Sequence, residues 1–392
     1  MNALDLVLLA LAVVYALSGY RQGFLVGSAS TIGLLVGGFI GVRVTPALLD
    51  RFDERLSISV AALLIVLACA FVGQLVGVVV GSQIRSRITW QPARILDALG
   101  GGALSVVAML LIAWVLGVAA SGARIGPVND EIRGSRLLSA IDGALPGGAD
   151  RVLETFNALV DSSKFPQYLE PFAQEHINDV PTPSSRVLDR PGVQAAYDSV
   201  VKVTGAATSC GRTLEGSGFV YAAGLVMTNA HVVAGVSRPT VSLGDSSYPA
   251  EVVYYDPDID VAVLAVPGLT APPLQFGQDA RSADPAVVLG FPENGPFDEQ
   301  PARIRDHQTL RSPDIYGDGT VLRDTYSVYA LVRQGNSGGP LVDPQGDVIG
   351  VIFAASLTDA NTGYALSADQ VAGAARAGSS SNAPADTGSC AV

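Results

Sequence analysis

Cysteine, histidine and basic residues are all scarce in this 392-residue sequence, which has three cysteines, three histidines and 24 Lys and Arg against 36 Asp and Glu. The net charge of −12 argues against nucleic acid as a partner, because that partner needs a basic surface. His176 and His307 have no second His/Cys cluster beside them, so no metal site and no cofactor are expected. Charged residues make up only 15% of the chain and hydrophobic ones 49%. Together with a positive mean hydropathy, this is too apolar for one soluble globule, so part of the chain is expected in lipid.

The apolar residues are gathered into four runs, at 6–20, 24–42, 57–81 and 99–120. Short loops carrying Arg21, then Arg51 and Arg55, then Arg85, Arg87 and Arg94 separate them, which predicts four transmembrane helices in a domain spanning residues 1–123. Met1-Asn2-Ala3-Leu4-Asp5 has no basic residue and so is unlike the start of a signal peptide; the first run is expected to stay on the mature protein. Gly33, Gly37 and Gly41 in the second run and Gly73, Gly77 and Gly81 in the third repeat every fourth residue, a spacing that lets helices approach closely. No charge is expected to be buried in these spans, which disfavours a pump. An even number of spans puts both chain ends on one side. The arginines are too evenly divided between the loops to choose which.

Residues 124–193 read as a connector, helical at 136–141 and 149–160 and then broken by Pro166, Pro171, Pro181 and Pro183. From residue 194 the pattern changes to short β-rich segments between Gly, Pro, Asn and Asp. Strands are expected at 199–203, 218–221, 225–228, 248–255, 261–266, 286–290, 303–308, 321–328 and 348–353, a pattern that suggests an antiparallel barrel pair over 194–378. Cys69 lies in an apolar run and reads as a small buried hydrophobe. Cys210 and Cys390 are suited to pair, the alternative being two unrelated thiols. A bond between them would tie back the tail 379–392, contribute about 5 kcal/mol in the chain-entropy model, and require an oxidising compartment. That would place the second half outside the cytoplasm.

Gly335-Asn336-Ser337-Gly338-Gly339-Pro340-Leu341 puts a serine in a glycine-rich turn where backbone amides can converge on its hydroxyl. A serine nucleophile needs a base, a group to orient the base, and donors for an oxyanion. His231, in Thr228-Asn229-Ala230-His231, is the candidate base. Asp260, in Asp260-Val261-Ala262-Val263-Leu264, is the candidate orienting acid. The N–H groups of Gly335 and Ser337 are the candidate oxyanion donors.

These three segments, in the order His, Asp, Ser, resemble the trypsin/chymotrypsin-like serine proteases, especially the bacterial HtrA-type branch, over roughly residues 194–376. The resemblance implies an all-β double barrel with the triad in the cleft between barrels. Asp5-Leu6-Val7-Leu8-Leu9 with Gly19-Tyr20-Arg21-Gln22-Gly23-Phe24 resembles the colicin V production (CvpA) membrane family. The fusion of the two is similar to the mycobacterial and actinobacterial acid-resistance proteases of the MarP type, whose domain-tying disulfide fits Cys210 and Cys390. Asn336 stands where digestive relatives carry an aspartate that pairs with a freed N-terminus, so that activation switch is not expected here. No PDZ-like module is expected after Val371. Leu331, six residues before the nucleophile, falls at the base of the primary pocket in trypsin-like enzymes and argues against selection of Lys or Arg.

The expected function is therefore a multi-pass serine endopeptidase of the cell membrane, with its protease domain periplasmic, acting on protein or peptide substrates of the envelope in acid or oxidative stress. A catalytically silent scaffold on the protease fold and a transporter with an accessory protease domain are the alternatives. Cleavage is expected to fall as His231 takes up a proton, in the range where an ordinary imidazole titrates, about pH 6.5.

Overall fold

A computed structural model describes residues 1–49, 56–121, 131–145, 175–356, 358–381 and 383–391. The predicted helix at 149–160, and Pro166, Pro171, Arg51 and Arg55, lie outside them. The chain divides into two compact units, 1–117 with 135–145, and 118–134 with 146–392.

The first unit is helical: α1 (Ala3–Gln22), α2 (Phe24–Leu49), α3 (Leu56–Ser86), α4 (Gln91–Ser121) and α5 (Arg136–Ala144). Four of these contain stretches long and apolar enough to cross a membrane, at Ala3–Gln22, Phe24–Gly41, Leu67–Ser86 and Gln91–Val118. The glycine stripes meet as expected. A Cβ on Gly33 would lie 2.1 Å from the Gly73 carbonyl oxygen, and one on Gly77 2.1 Å from that of Ala29, so α2 and α3 pack backbone against backbone. Gly19 and Gly101 do the same for α1 and α4.

The expectation of no buried charge in this half is corrected at the helix ends. Asp5 is fully buried, with Oδ1 accepting from Ser135 Oγ (2.6 Å) and Leu137 N–H (3.2 Å), so a carboxylate in the first turn of α1 caps the start of α5. Asp97 pairs with Arg85 Nε at 2.8 Å and accepts Leu25 N–H at 2.9 Å, while Arg85 Nη1 donates to the carbonyls of Arg21 and Gln22. Both carboxylates are affordable because helix-terminal amides or a guanidinium complete their bonding.

The second unit begins with a strap over 175–190 and a short helix α6 (Pro191–Ala196). Next come β1 (Val200–Ala207), β2 (Arg212–Ala222), β3 (Leu225–Thr228), α7 (Ala230–Val233), β4 (Thr240–Leu243), β5 (Ser246–Pro249), β6 (Glu251–Asp256) and β7 (Val261–Ala265). Their strands form one antiparallel sheet in the order β5-β4-β1-β2-β3-β7-β6. The rest are β8 (Pro285–Gly290), β9 (Asp298–Pro313), β10 (Thr320–Tyr329), β11 (Pro340–Val342), β12 (Val348–Ala355), β13 (Thr362–Ser367) and α8 (Ala368–Ser380). These strands close into a barrel, β10-β13-β12-β11-β8-β9.

The strand expected at 248–255 is two strands, because Pro249 cannot donate to a ladder. The first sheet is not closed by strand pairing; the C-terminal tail covers its β6 edge, with Ala385 N–H donating to Val252 O at 2.7 Å. Cys210 and Cys390 form a disulfide across 180 residues, and Gly235 N–H donates to Thr387 O at 3.0 Å, so the tail is anchored beside α7. Each sheet has its own apolar interior, around Val203, Val226 and Leu264 in the first and Ile304, Tyr326 and Ile352 in the second. A third cluster, with Phe219, Leu289, Phe353 and Val371, joins the two sheets to α8.

Candidate active site

Local structure delivers the candidate base and acid together. β3 ends at Thr228 and the chain turns at once into the four-residue helix α7, which sets His231 at the rim of the first sheet. Asp260 closes the turn between β6 and β7, with φ +63°, and is 2% exposed. Its Oδ1 accepts the backbone N–H of His231 at 2.9 Å and its Oδ2 lies 2.8 Å from His231 Nδ1. A carboxylate only accepts, so Nδ1 carries the imidazole proton and Nε2 keeps a free lone pair for a proton from elsewhere. Asn229 Nδ2 donates to the Asp260 carbonyl at 2.8 Å and fixes the turn from the other side.

Ser337 comes from the second barrel, in the turn between β10 and β11, and is 2% exposed. The glycines flanking it are there for space and conformation: Gly335 and Gly338 have φ of +90° and +82°. A Cβ on Gly338 would lie 2.2 Å from Ser217 O and 3.0 Å from Asn229 N, so the serine turn abuts the residues that lead into α7. One on Gly216 would meet Val232 Cγ2 at 2.6 Å and Ser337 O at 2.9 Å. The Ser337 turn therefore packs against β2 and the residues that lead into α7, the helix that carries the Asp260-bonded His231.

The peptide joining Gln334 to Gly335 has a defined direction. Its carbonyl accepts Glu293 N–H at 2.7 Å, and because a trans peptide points its two polar groups oppositely, the Gly335 N–H faces away from the 291–295 turn. The Gly335 carbonyl accepts Ser217 Oγ–H at 2.6 Å. Asn336 is fully buried and its Oδ1 accepts Arg333 N–H at 2.9 Å, a bond made within its own loop.

Two family comparisons follow the same division of the chain. The colicin V production protein family matches residues 4–146, and the trypsin-like peptidase domain family residues 216–351. Serine protease Rv3671c of Mycobacterium tuberculosis (strain H37Rv) is 41% identical over 391 residues, covering 99% of this chain and 98% of the relative. The chain belongs to this serine protease family. The crystal structure of the Rv3671c protease in its active form is 47% identical with a TM-score of 0.55, covering 57% of this chain and 99% of that one. Protease Do-like 1, chloroplastic, of Arabidopsis thaliana is 34% identical over 178 residues, 41% of this chain and 38% of that one.

Sequence reasoning missed the residue that binds the serine turn to the first sheet. Ser217 is fully buried in β2; besides the bond to Gly335, its Oγ accepts Phe291 N–H at 2.8 Å, its N–H donates to Ser337 O at 2.7 Å, and its carbonyl accepts Thr228 Oγ1–H at 2.7 Å. The available signal was Gly216-Ser217-Gly218, glycines in a strand interior that mark close backbone approach. Leu331 is 42% exposed while Val332 beside it is buried against Gly363. His307 is held by Asp324, Nε2 to Oδ1 at 2.9 Å, and His176 is exposed.

Proposed function

We propose that the protein is a membrane-anchored endopeptidase that hydrolyses peptide bonds through an acyl-enzyme on Ser337. His231 Nε2 takes the proton from the Ser337 hydroxyl as it attacks the scissile carbonyl, and returns it to the leaving amine. Asp260 holds the imidazole by its Nδ1–H, sets its tautomer and stabilises the imidazolium that forms. The Gly335 and Ser337 N–H groups receive the oxyanion; the bond from Glu293 N–H to the Gln334 carbonyl keeps the first of them turned out of its own loop. Water then attacks the ester along the same path, with His231 again as the base.

One observation carries this reading: the double hydrogen bond from His231 to Asp260 beside a serine turn whose amides are held in place by neighbouring backbone. The exposed Leu331 fits an apolar side chain in the primary pocket. The Cys210–Cys390 disulfide supports an oxidising location for the second unit, outside the cytoplasm, and the four candidate spans among the described residues supply the anchor. Envelope proteins are the substrates within reach there, in a role in acid or oxidative stress survival. Proteolysis of casein by the full chain in detergent micelles, beside Ser337→Ala, tests the reading. Loss of cleavage in the variant is expected, and cleavage by Ser337→Ala at the wild-type rate would overturn it.

A further inference from the structure

The triad acid sits in a turn that its own sheet does not hold alone. Asp256-Pro257-Asp258-Ile259-Asp260 leads from β6 into β7, and Asp256 Oδ1 organises its start by accepting the N–H of Asp258 (3.0 Å) and Ile259 (3.1 Å). At its end Asp260 adopts a left-handed φ of +63°, a conformation that surrounding structure must enforce in a residue with a Cβ. Between these two points the Asp258 carbonyl is gripped from the other sheet. Arg323, in β10 of the closed barrel and 3% exposed, donates to it from both Nε (3.0 Å) and Nη2 (2.6 Å). The remaining arm, Nη1, donates to Pro313 O at 2.9 Å and to Ser312 Oγ, and the guanidinium lies 5.7 Å from the Phe353 ring centre.

We propose that Arg323 is a positioning residue for the triad acid, a planar fork reaching from the closed barrel to fix the turn of Asp260 and to keep a positive charge among that turn's carboxylates. The fork geometry explains why arginine stands here, since a lysine ammonium cannot present two coplanar donors to one carbonyl. A charge this deeply buried is costly, and a neutral donor would have made the same carbonyl contact more cheaply. The charge has work to do because the surroundings are acidic: burial opposes the guanidinium's ionisation, and the charges of Asp260, Asp314, Asp258 and Asp256, in that order, favour it.

Four carboxylates, Asp260 among them, act on Arg323, and Asp260 and Asp386 act on Tyr255. The β6–β7 turn brings Asp256 and Asp258, and the β9–β10 hairpin Asp314 and Tyr316. β6 adds Tyr255, whose phenol is kept neutral by burial and by its hydrogen-bond partner Tyr316, and the tail adds Asp386. Against these, β10 supplies Arg323. Removing its charge leaves the imidazole in a more negative field, which favours the protonated form and so disables the base at a higher pH.

The inference rests on the protease reading given above. Its test compares the full chain in detergent micelles with Arg323→Met and Arg323→Lys, using the rate of fluorophosphonate labelling at Ser337, kcat and KM on a peptide substrate, and both across pH. Arg323→Met should label about tenfold to a hundredfold more slowly at neutral pH, through kcat and not KM. The acid limb of its profile should move to higher pH. Arg323→Lys should recover the position of the acid limb while remaining slow, because it restores charge without the fork. Wild-type labelling rate and an unchanged acid limb in Arg323→Met would overturn the inference. If Arg323→Met does not fold, Arg323→Lys decides, and a wild-type rate in it would equally overturn the inference. Failure of the wild-type chain to label at Ser337 would instead remove the protease reading itself.

Discussion

The two sheets of the second unit solve the same folding problem differently. The closed barrel satisfies its strands internally, each paired on both sides, and carries the Ser337 turn. The first sheet is open and carries His231 and Asp260. It is completed from outside, by the tail along β6, the Cys210–Cys390 bond, and the grip of Arg323 on the Asp258 carbonyl. In the proposed mechanism the half that closes on itself supplies the attacking atom, and the half that depends on ties supplies the proton chemistry. Control of activity then falls most naturally on the ties, where a change can misplace the base without unfolding the barrel.

The largest effect should come from the triad acid. Asp260→Asn keeps the shape but lets the imidazole take the other tautomer, and kcat should fall about 10⁴-fold with little change in KM or in the melting profile. A loss below about tenfold would show that Asp260 does not set the tautomer of the base.

Next comes the covalent tie. Cys390→Ser removes a cross-link spanning 180 residues, which in the chain-entropy model contributes about 5 kcal/mol. Hydrogen exchange should show the loss concentrated in β6, α7 and the tail, with the barrel amides nearly unaffected. Uniform loss across both sheets would erase the distinction between them.

How much of this was legible in the chain follows from the range of each signal. His231, Asp260 and Ser337 each sit in a local motif, so their types and order could be read without a structure. Arg323 could not: it acts on a backbone group more than sixty residues away, and nothing near it advertises that partner, while Gly216 and Gly218 mark a close approach at Ser217 without indicating what approaches. Strands β4, β11 and β13 escaped because they are short or built from Gly, Ala, Ser and Thr, and gain their pairing only from neighbours. The membrane helices were legible from hydropathy, and the glycine stripes from their spacing. The cap that Asp5 gives α5 spans 130 residues and was not.

A smaller effect is expected at Ser217. Ser217→Ala removes the hydroxyl that bridges Gly335 O and Phe291 N–H, so the Gly335–Asn336 peptide loses a support on the C-terminal side of the Gly335 N–H and kcat should fall about 10- to 100-fold. Affinity for a peptide boronate, which mimics the tetrahedral oxyanion, should weaken more than affinity for the substrate. Equal weakening of both would assign Ser217 to substrate binding alone.

The smallest effect lies in the barrel, far from the ties. Burial and the charge of Asp343 raise the Asp347 carboxyl above its ordinary value. A carboxyl raised on folding stabilises the protein below its unfolded titration range, and this contribution is lost as pH rises through the folded one. Asp347→Asn should therefore raise the melting temperature slightly at neutral pH, by about 1 °C, and have no such benefit at pH 3. A drop at neutral pH would contradict that sign.

In the proposed mechanism a base from the open sheet activates a nucleophile from the closed barrel. Intact mass of the full chain after incubation with a fluorophosphonate tests it most directly, with His231→Ala and Ser337→Ala alongside. The account predicts one adduct per wild-type chain, mapped to Ser337, and none on the same timescale in either variant. An adduct on His231→Ala at the wild-type rate, or on any residue other than Ser337, would contradict it.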